Sequence, residues 1–347
     1  LEVDADGGLV GELSAATDSM RLQNTVRDHS WRLELDPARL DARVGPDGLT
    51  GELELEVIAV GEGPLLEARG QIRMPQLTSL DVNPEEQAVD ASLSVHAGDM
   101  YFIEAFLPEV TEASGSCELE SQIGGTLAEL TVDGQANLAD GSALIPLLGL
   151  QLTDIQFAAT GRPAGGFDLE GQVRSGEGIL TLTGRSERYP TTVSPTRMTI
   201  RGERCQVLDA PEISLSAEPS LDLAFDGSKL SVTGEVRIPR SRLGIPDVPE
   251  TAVTPSQDVV FVGDTLTERD YPVPLEADIR VILGDDVFFS GFGFSSALAG
   301  QVNITQAAGA QPRGRGEVRF VNGTFRQLGQ ELRIDPGRLL FNGPIDN

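Results

Sequence analysis

Apolar and polar residues alternate along most of this chain. Leu49, Gly51, Leu53, Leu55 and Val57 fall on one side of a pleated segment, and Thr50, Glu52, Glu54 and Glu56 on the other. The same period of two runs through Leu221-Asp222-Leu223-Ala224-Phe225 and Leu230-Ser231-Val232-Thr233-Gly234-Glu235-Val236-Arg237-Ile238. Its longest clear stretch is Val273 to Leu283, where Leu275, Ala277, Ile279 and Val281 alternate with Glu276, Asp278 and Arg280. A period of two predicts strands with one apolar and one wet face, and a wet face favours antiparallel over parallel pairing. Helical spacing is confined to Gly98–Leu107, with Asp99 as cap, Phe102, Ile103 and Phe106 on one face, and Pro108 as the stop. A second turn is expected over Ser142–Leu148, limited by Pro146. The pattern therefore predicts an all-β chain with one or two short helices.

A glycine-led segment recurs. Arg69-Gly70-Gln71-Ile72-Arg73-Met74-Pro75 resembles Asp133-Gly134-Gln135-Ala136-Asn137-Leu138, Thr233-Gly234-Glu235-Val236-Arg237-Ile238-Pro239 and Arg315-Gly316-Glu317-Val318-Arg319-Phe320, with Gly171-Gln172-Val173-Arg174 as a shorter copy. The spacing is irregular, which suggests one supersecondary unit stacked with insertions, in the manner of a solenoid. Residues 243–272 break the alternation with Pro246, Pro249, Pro255 and Pro272 and are expected to form a long loop or flap. No linker divides the chain, so residues 1–347 are expected to form a single continuous segment. Leu1 lies in mid-pattern and Asn347 in mid-motif, as in a piece of a longer protein whose anchor and targeting signals lie elsewhere.

Composition narrows the function. Aromatic residues make up only 5% of the chain, so the apolar faces are built of Leu, Val, Ile and Ala. With 54 acidic against 26 basic residues the net charge is −28, which opposes binding to nucleic acid and to an anionic membrane surface. No apolar run approaches the ~18 residues of a membrane helix. His29 and His96 are isolated and read as turn and surface residues, with no triad or zinc set around them. Gly284-Asp285-Asp286 and Asp4-Ala5-Asp6-Gly7-Gly8 lack the spacing of a calcium loop and read as turns. The glycines of Gly291-Phe292-Gly293-Phe294 read as bends or bulges, not as a phosphate cradle. Cys117 and Cys205 have no metal-ligand spacing and are expected to be two reduced, buried thiols. No catalytic, metal or cofactor site emerges, and the chain is expected not to be an enzyme.

The C-terminal third carries a recognisable signature. Gly337-Arg338-Leu339-Leu340-Phe341-Asn342-Gly343-Pro344-Ile345-Asp346-Asn347 resembles the C-terminal region of the TamB (translocation and assembly module) family, within the wider AsmA-like, bridge-like lipid transfer superfamily. Gly316–Arg326, Gly329–Ile334, Phe106–Val110, Gly124–Leu127 and Asp133–Ile155 fit the same pattern, so the resemblance is specific from about residue 95 to the end. It implies an elongated, U-shaped, antiparallel-rich β-sheet solenoid (a β-taco) with an apolar groove. It also implies a Gram-negative periplasmic bridge, held in the inner membrane by an N-terminal segment outside this sequence. The implied role is phospholipid transport and outer membrane biogenesis. The implied partners are phospholipid, the outer-membrane barrel protein TamA through regions partly outside this chain, and unfolded outer-membrane proteins. No cofactor is implied.

Alternation alone fits equally a closed barrel or a sandwich filled by its own side chains; the resemblance implies the open groove. Its expected lining is the set of apolar slots Leu221, Leu223, Phe225, Val232, Val236, Ile238, Leu275, Ile279, Val281, Phe289, Phe292, Phe294, Val302, Ile304, Val318 and Phe320. A second reading is a scaffold that offers sheet edges to outer-membrane strands during protein translocation and assembly.

Overall fold

The computed structural model describes residues 2–3, 9–17, 20–26, 29–59, 64–78, 83, 86–105, 107, 109–162, 165–187, 195–244, 274–327, 330–334 and 337–345. They fall into two compact units, Leu1–Ile200 and Arg201–Asn347. The chain is all-β. The strands up to the boundary are β1 (Glu2–Val3), β2 (Leu9–Thr17), β3 (Met20–Val26), β4 (His29–Gly45), β5 (Gly48–Ala59), β6 (Pro64–Met74), β7 (Asp90–Ala97), β8 (Thr111–Gly125), β9 (Leu130–Ile145), β10 (Leu150–Gly161), β11 (Phe167–Ser175), β12 (Gly178–Ser186) and β13 (Thr196–Glu203). Those of the second unit are β14 (Cys205–Ala210), β15 (Ile213–Phe225), β16 (Leu230–Gly244), β17 (Leu275–Gly291), β18 (Phe294–Gln306), β19 (Arg313–Gln327), β20 (Gln330–Ile334) and β21 (Arg338–Pro344).

In the first unit β4 through β12 pair in chain order, each antiparallel to the next, while β2 and β3 both pair with β4. The second unit runs β14-β15-β16-β17-β18-β19, with β20 and β21 both on the far side of β19. Every described pairing is antiparallel except β16 with β17. A parallel pair needs a long return connection, and the proline-rich break in the sequence lies at that crossover. Leu243 and Gly244 are the last residues of β16 and not loop, which corrects the start expected for the break; residues 245–272 lie outside the described residues.

Among the described residues the helical elements are two 3-10 turns, Tyr101–Ala105 and Pro146–Leu148. The Asp99 carboxylate accepts from the Tyr101 amide at 2.9 Å, the cap that the sequence suggested; Phe106 and Pro108 lie outside the described residues. The turn places Tyr101 and Phe102 against Val57 and Leu65 in a small core with Leu35, Leu55 and Leu66. Ser142–Ile145 belong to β9, so the second turn is shorter than expected. His29 opens β4 and is not in a turn, although its side chain lies outside the described residues. Gly284-Asp285-Asp286 also departs from its expectation: it interrupts the β17 register as a bulge inside a strand. Asp4 to Gly8 lie outside the described residues.

Both cysteines are unpaired, Cys205 buried and Cys117 only half-buried. The second point corrects the expectation of two buried thiols: Cys117 faces Ala97 and Leu138 in the neighbouring strands and keeps part of its surface exposed. Desolvation raises both thiol pKa values, so little thiolate is present at neutral pH. Under native conditions at pH 7.5, a maleimide should label Cys117 slowly and Cys205 at least about tenfold more slowly, the latter through opening of the β14–β15 ladder. Peptide mass spectrometry of timed samples measures both rates; equal rates, or an intramolecular bridge in the intact mass, contradict this placement.

Candidate functional site

Residues directly opposite one another in a ladder share a face, so register shows which apolar side chains meet. In the second unit Leu223 faces Val232, which in turn faces Ala277. Gly234 faces Ile279, and Ile279 faces Ile304. Val236 faces Val281, Val281 faces Val302, and Ile238 faces Leu283. Gly300 faces Val318, and Leu298 faces Phe320. Leu221 and Phe225 join the same side through Gly234 and Leu230, and Leu275 through Leu230. At one end Phe294 is 6.1 Å from Phe289 and 5.3 Å from Phe320, centroid to centroid. That aromatic chain lies beside Val287, which is 1% exposed.

Fifteen of the sixteen expected lining residues therefore fall on one face. Phe292 does not: it sits at the hairpin turn between β17 and β18 with φ 53° and is 63% exposed. Turn residues leave the pleat, so alternation assigns them no face. Of the fifteen, only Val318 is fully buried; the others are half-buried.

The opposite face is polar and tied together. Lys229 Nζ lies 2.8 Å from Glu276 Oε2, and Asn303 Nδ2 donates to Asp278 at 2.9 Å. At the bulge, Asp286 accepts from Arg240 Nε at 3.0 Å and Arg242 Nη2 at 2.8 Å, while the Arg242 guanidinium lies 4.7 Å from the centre of the Phe288 ring. The Arg242 hydrogen bond, with Arg240 beside it, holds the Asp286 carboxylate below the usual carboxylate range. Asp286 is thus committed to two arginines and braces the bulge. His96 is exposed on the polar face of the first unit, 3.6 Å from Glu118.

The first unit carries a corresponding apolar face that the expected lining left out. Leu40 faces Leu53, which faces Gly70, which faces Leu93. Leu55 faces Ala68, which faces Val95, which faces Leu119. Leu138, Phe157, Gly171 and Leu182 continue such a row across β9 to β12. The signal was present: the alternation of Leu49 to Val57 already marked this face. The repeated glycine also acquires a role. A Cβ at Gly70 would lie 3.6 Å from both Leu53 and Leu93, and one at Gly171 would lie 3.2 Å from Phe157. Only at Gly171 does a bulky neighbour crowd the place of the missing side chain; the contacts at Gly70 would be ordinary ones, and at Gly134, Gly234 and Gly316 the carbonyl oxygen of the neighbouring strand occupies that place.

Concavities of about 620 and 680 Å³ in the first unit run between polar rows that include Asp41, Glu52 and Gln71. One of about 990 Å³ in the second unit runs between Arg280, Asn303 and Arg315. Another, of about 540 Å³, reaches Leu138, Phe157 and Leu182. None of these four lies on the apolar face of the second unit, whose side chains are mostly half-buried in the described residues.

A family model, the TamB C-terminal domain, matches residues 168–347. The chain is 21% identical over 272 residues to the translocation and assembly module subunit TamB of Haemophilus influenzae (strain ATCC 51907 / DSM 11121 / KW20 / Rd), an alignment that covers 75% of this chain and 21% of that protein. The chain thus spans about a fifth of the length of this curated relative. No solved structure matches. Among the described residues no helix is long and apolar enough to cross a membrane. With the family match over more than half of its length, this chain belongs to the TamB family.

Proposed function

We propose that the chain is a non-catalytic lipid-binding segment of a periplasmic bridge, whose apolar face takes up the acyl chains of phospholipid on their way between membranes. The observation that carries this reading is the apolar face that the second unit keeps through its β15–β19 ladders, from Leu221 to Phe320 and across the register shifts at Ile238–Arg240 and Leu283–Phe288, and that its own side chains leave half-covered. Magnitudes favour a two-chain lipid. Burying half of a sixteen-carbon chain contributes about 6 kcal/mol, within the ~4–15 kcal/mol that association costs; two chains contribute about 13 kcal/mol and exceed most of that range. Native mass spectrometry of the chain purified from a Gram-negative host should show adducts of phospholipid mass that are lost on delipidation. Only detergent-sized or empty species would count against the reading.

A second reading rests on β20 and β21. Leu332, Leu339 and Leu340 are exposed there, and β20 is exposed along its whole length. Strands of this kind suit a scaffold that pairs with unfolded outer-membrane segments by β-augmentation, or with a barrel partner such as TamA. Cross-linking at Leu340 to a strand peptide would favour this reading, whereas lipid adducts without peptide capture would favour the first.

A further inference from the structure

Charge is distributed very unevenly on the polar face of the second unit. The chain carries −28 overall, yet β17, β19 and β21 place Arg280, Arg313, Arg315, Arg319 and Arg338 on one side. The carboxylates on the same rows are Glu218, Asp222, Glu235, Asp278 and Glu317, of which Asp222 is held by Arg201. All five arginines are exposed, and among the described residues none of them makes an ion pair. Elsewhere in the unit Arg201, Arg240, Arg242 and Arg326 hold carboxylates, while Arg204, Arg237 and Arg333 share the lack of an ion pair among the described residues; what sets the five apart is that they stand in adjoining rows of one face. Two further facts point outward. Arg319 stands directly opposite Arg338 in the β19–β21 ladder, and like charges directly opposite are destabilising unless something neutralises them. Arg280, Asn303, Arg315 and Asn342 form one row across four strands, lining the concavity of about 990 Å³. In that row neutral amides are interleaved with guanidinium forks suited to phosphate oxygens.

We propose that this polar face is a docking surface for the phosphate headgroups of an anionic lipid surface. The arginines are spread over an open sheet face, not gathered around one small pocket, which fits an array of phosphates better than a single free anion. Four of the five lie on β17 and β19, strands paired on both sides, where an acidic peptide would find no ladder to join; only Arg338 is on the outer strand β21. The global negative charge does not forbid docking. The Debye length is ~8 Å at physiological salt, so the patch acts on a nearby surface largely alone. The inference deepens the lipid-binding reading: a segment that carries acyl chains on one face must approach a lipid surface, and this patch lets an acidic protein do so.

The test is co-sedimentation of the full chain, at physiological and at high salt, with vesicles of phosphatidylcholine alone and of phosphatidylcholine with 30% phosphatidylglycerol. Binding is expected to the anionic vesicles only and to be lost at high salt. It should fall at least about tenfold in the triple variant R280Q/R315Q/R319Q, since each arginine near an anionic surface is worth about a fivefold change. Hydrogen exchange verifies that the variant keeps its β17–β19 ladders. A second pair, R319Q and R338Q singly, should each weaken docking without lowering stability, because each relieves the facing like charges. Three results overturn the proposal: equal binding of parent and triple variant, no anionic binding by the parent, or competition by millimolar inorganic phosphate without vesicle binding, which would mark a free-anion site. Co-purified phospholipid is measured in the same samples. Lipid retained in a parent that fails to dock sinks only this proposal, and docking by a parent without lipid sinks only the acyl-chain reading.

Discussion

Replacing Gly300 with alanine is expected to melt the second unit about 10 °C below the parent chain. Gly300 lies in β18, opposite Leu283 on one side and Val318 on the other, with φ 140°. That backbone conformation is one that L side chains rarely adopt. A Cβ there would collide with the carbonyl oxygen of Glu317 and would lie 3.1 Å from Val318 Cα. Both are backbone atoms of the neighbouring strand, so no side-chain rotation relieves the contact and the β18–β19 ladder must part. Backbone strain and overpacking together cost about 3–5 kcal/mol, which shifts the midpoint of a unit this size by about 10 °C or more. Gly343→Ala is the matched control in the same unit. Nothing lies within 4 Å of its Cβ position and its φ is not left-handed, so its midpoint should move by no more than about 2 °C in either direction. Thermal melts with hydrogen exchange on β18 and β19 read both; equal midpoints would mean that the two strands do not approach as closely as this register requires. Gly234 shares the device, with φ 137° and the Ser220 carbonyl oxygen in place of that of Glu317.

The glycines show what alternation conveys and where it stops. A period of two is a local property of a pleated backbone, so Ile279, Val281, Val302 and Ile304 could be placed on one face without knowing which strands would be neighbours. Parity fails at irregularities. Phe292 was lost to a turn. In β16 the register shifts between Ile238 and Arg240, so that Ser241 and Leu243, not their even-numbered neighbours, face Val287 and Phe289. Strand direction was not legible either. The alternation in β16 and β17 resembles that of the antiparallel pairs around it, because direction follows from the length of the connection and not from the strand's own residues. The recurring Gly-Gln or Gly-Glu segment was visible, but its purpose depends on residues of the next strand: Leu53 and Leu93 beside Gly70 are 17 and 23 positions away. The arginine patch was hidden for the same reason. Arg280 and Arg315 share a concavity only once β17, β18 and β19 are laid side by side, and the net charge pointed the other way.

Ile279→Arg is expected to leave the fold standing while removing most of the bound lipid. Ile279 has Gly234 across one ladder and Ile304 across the other, and it is half-buried. The missing side chain at Gly234 leaves room for an arginine stem to lie along the face, and the open face lets the guanidinium reach water, as long cationic side chains do at apolar borders. The cost in stability should then be about 1–3 kcal/mol, well short of an unpaired charge sealed in a core. For an acyl chain the same guanidinium is a charge in the middle of its path, and occupancy should fall at least about tenfold. Asp278→Arg is the control one residue away. It points to the polar face, where Asp278 accepts one hydrogen bond from Asn303, so it changes charge by two units without touching the apolar row and should keep its lipid. Phospholipid per chain, by extraction and mass spectrometry, and the thermal midpoint are measured for both. An Ile279→Arg chain that does not fold would show that these rows close on themselves as a packed core. Equal lipid loss in the two variants would show that lipid does not lie on this face, and would shift the weight to the strand-pairing scaffold. Lipid loss confined to Ile279→Arg, with both variants folded, is the outcome that the half-buried rows of Val281, Val302 and Ile304 lead us to expect.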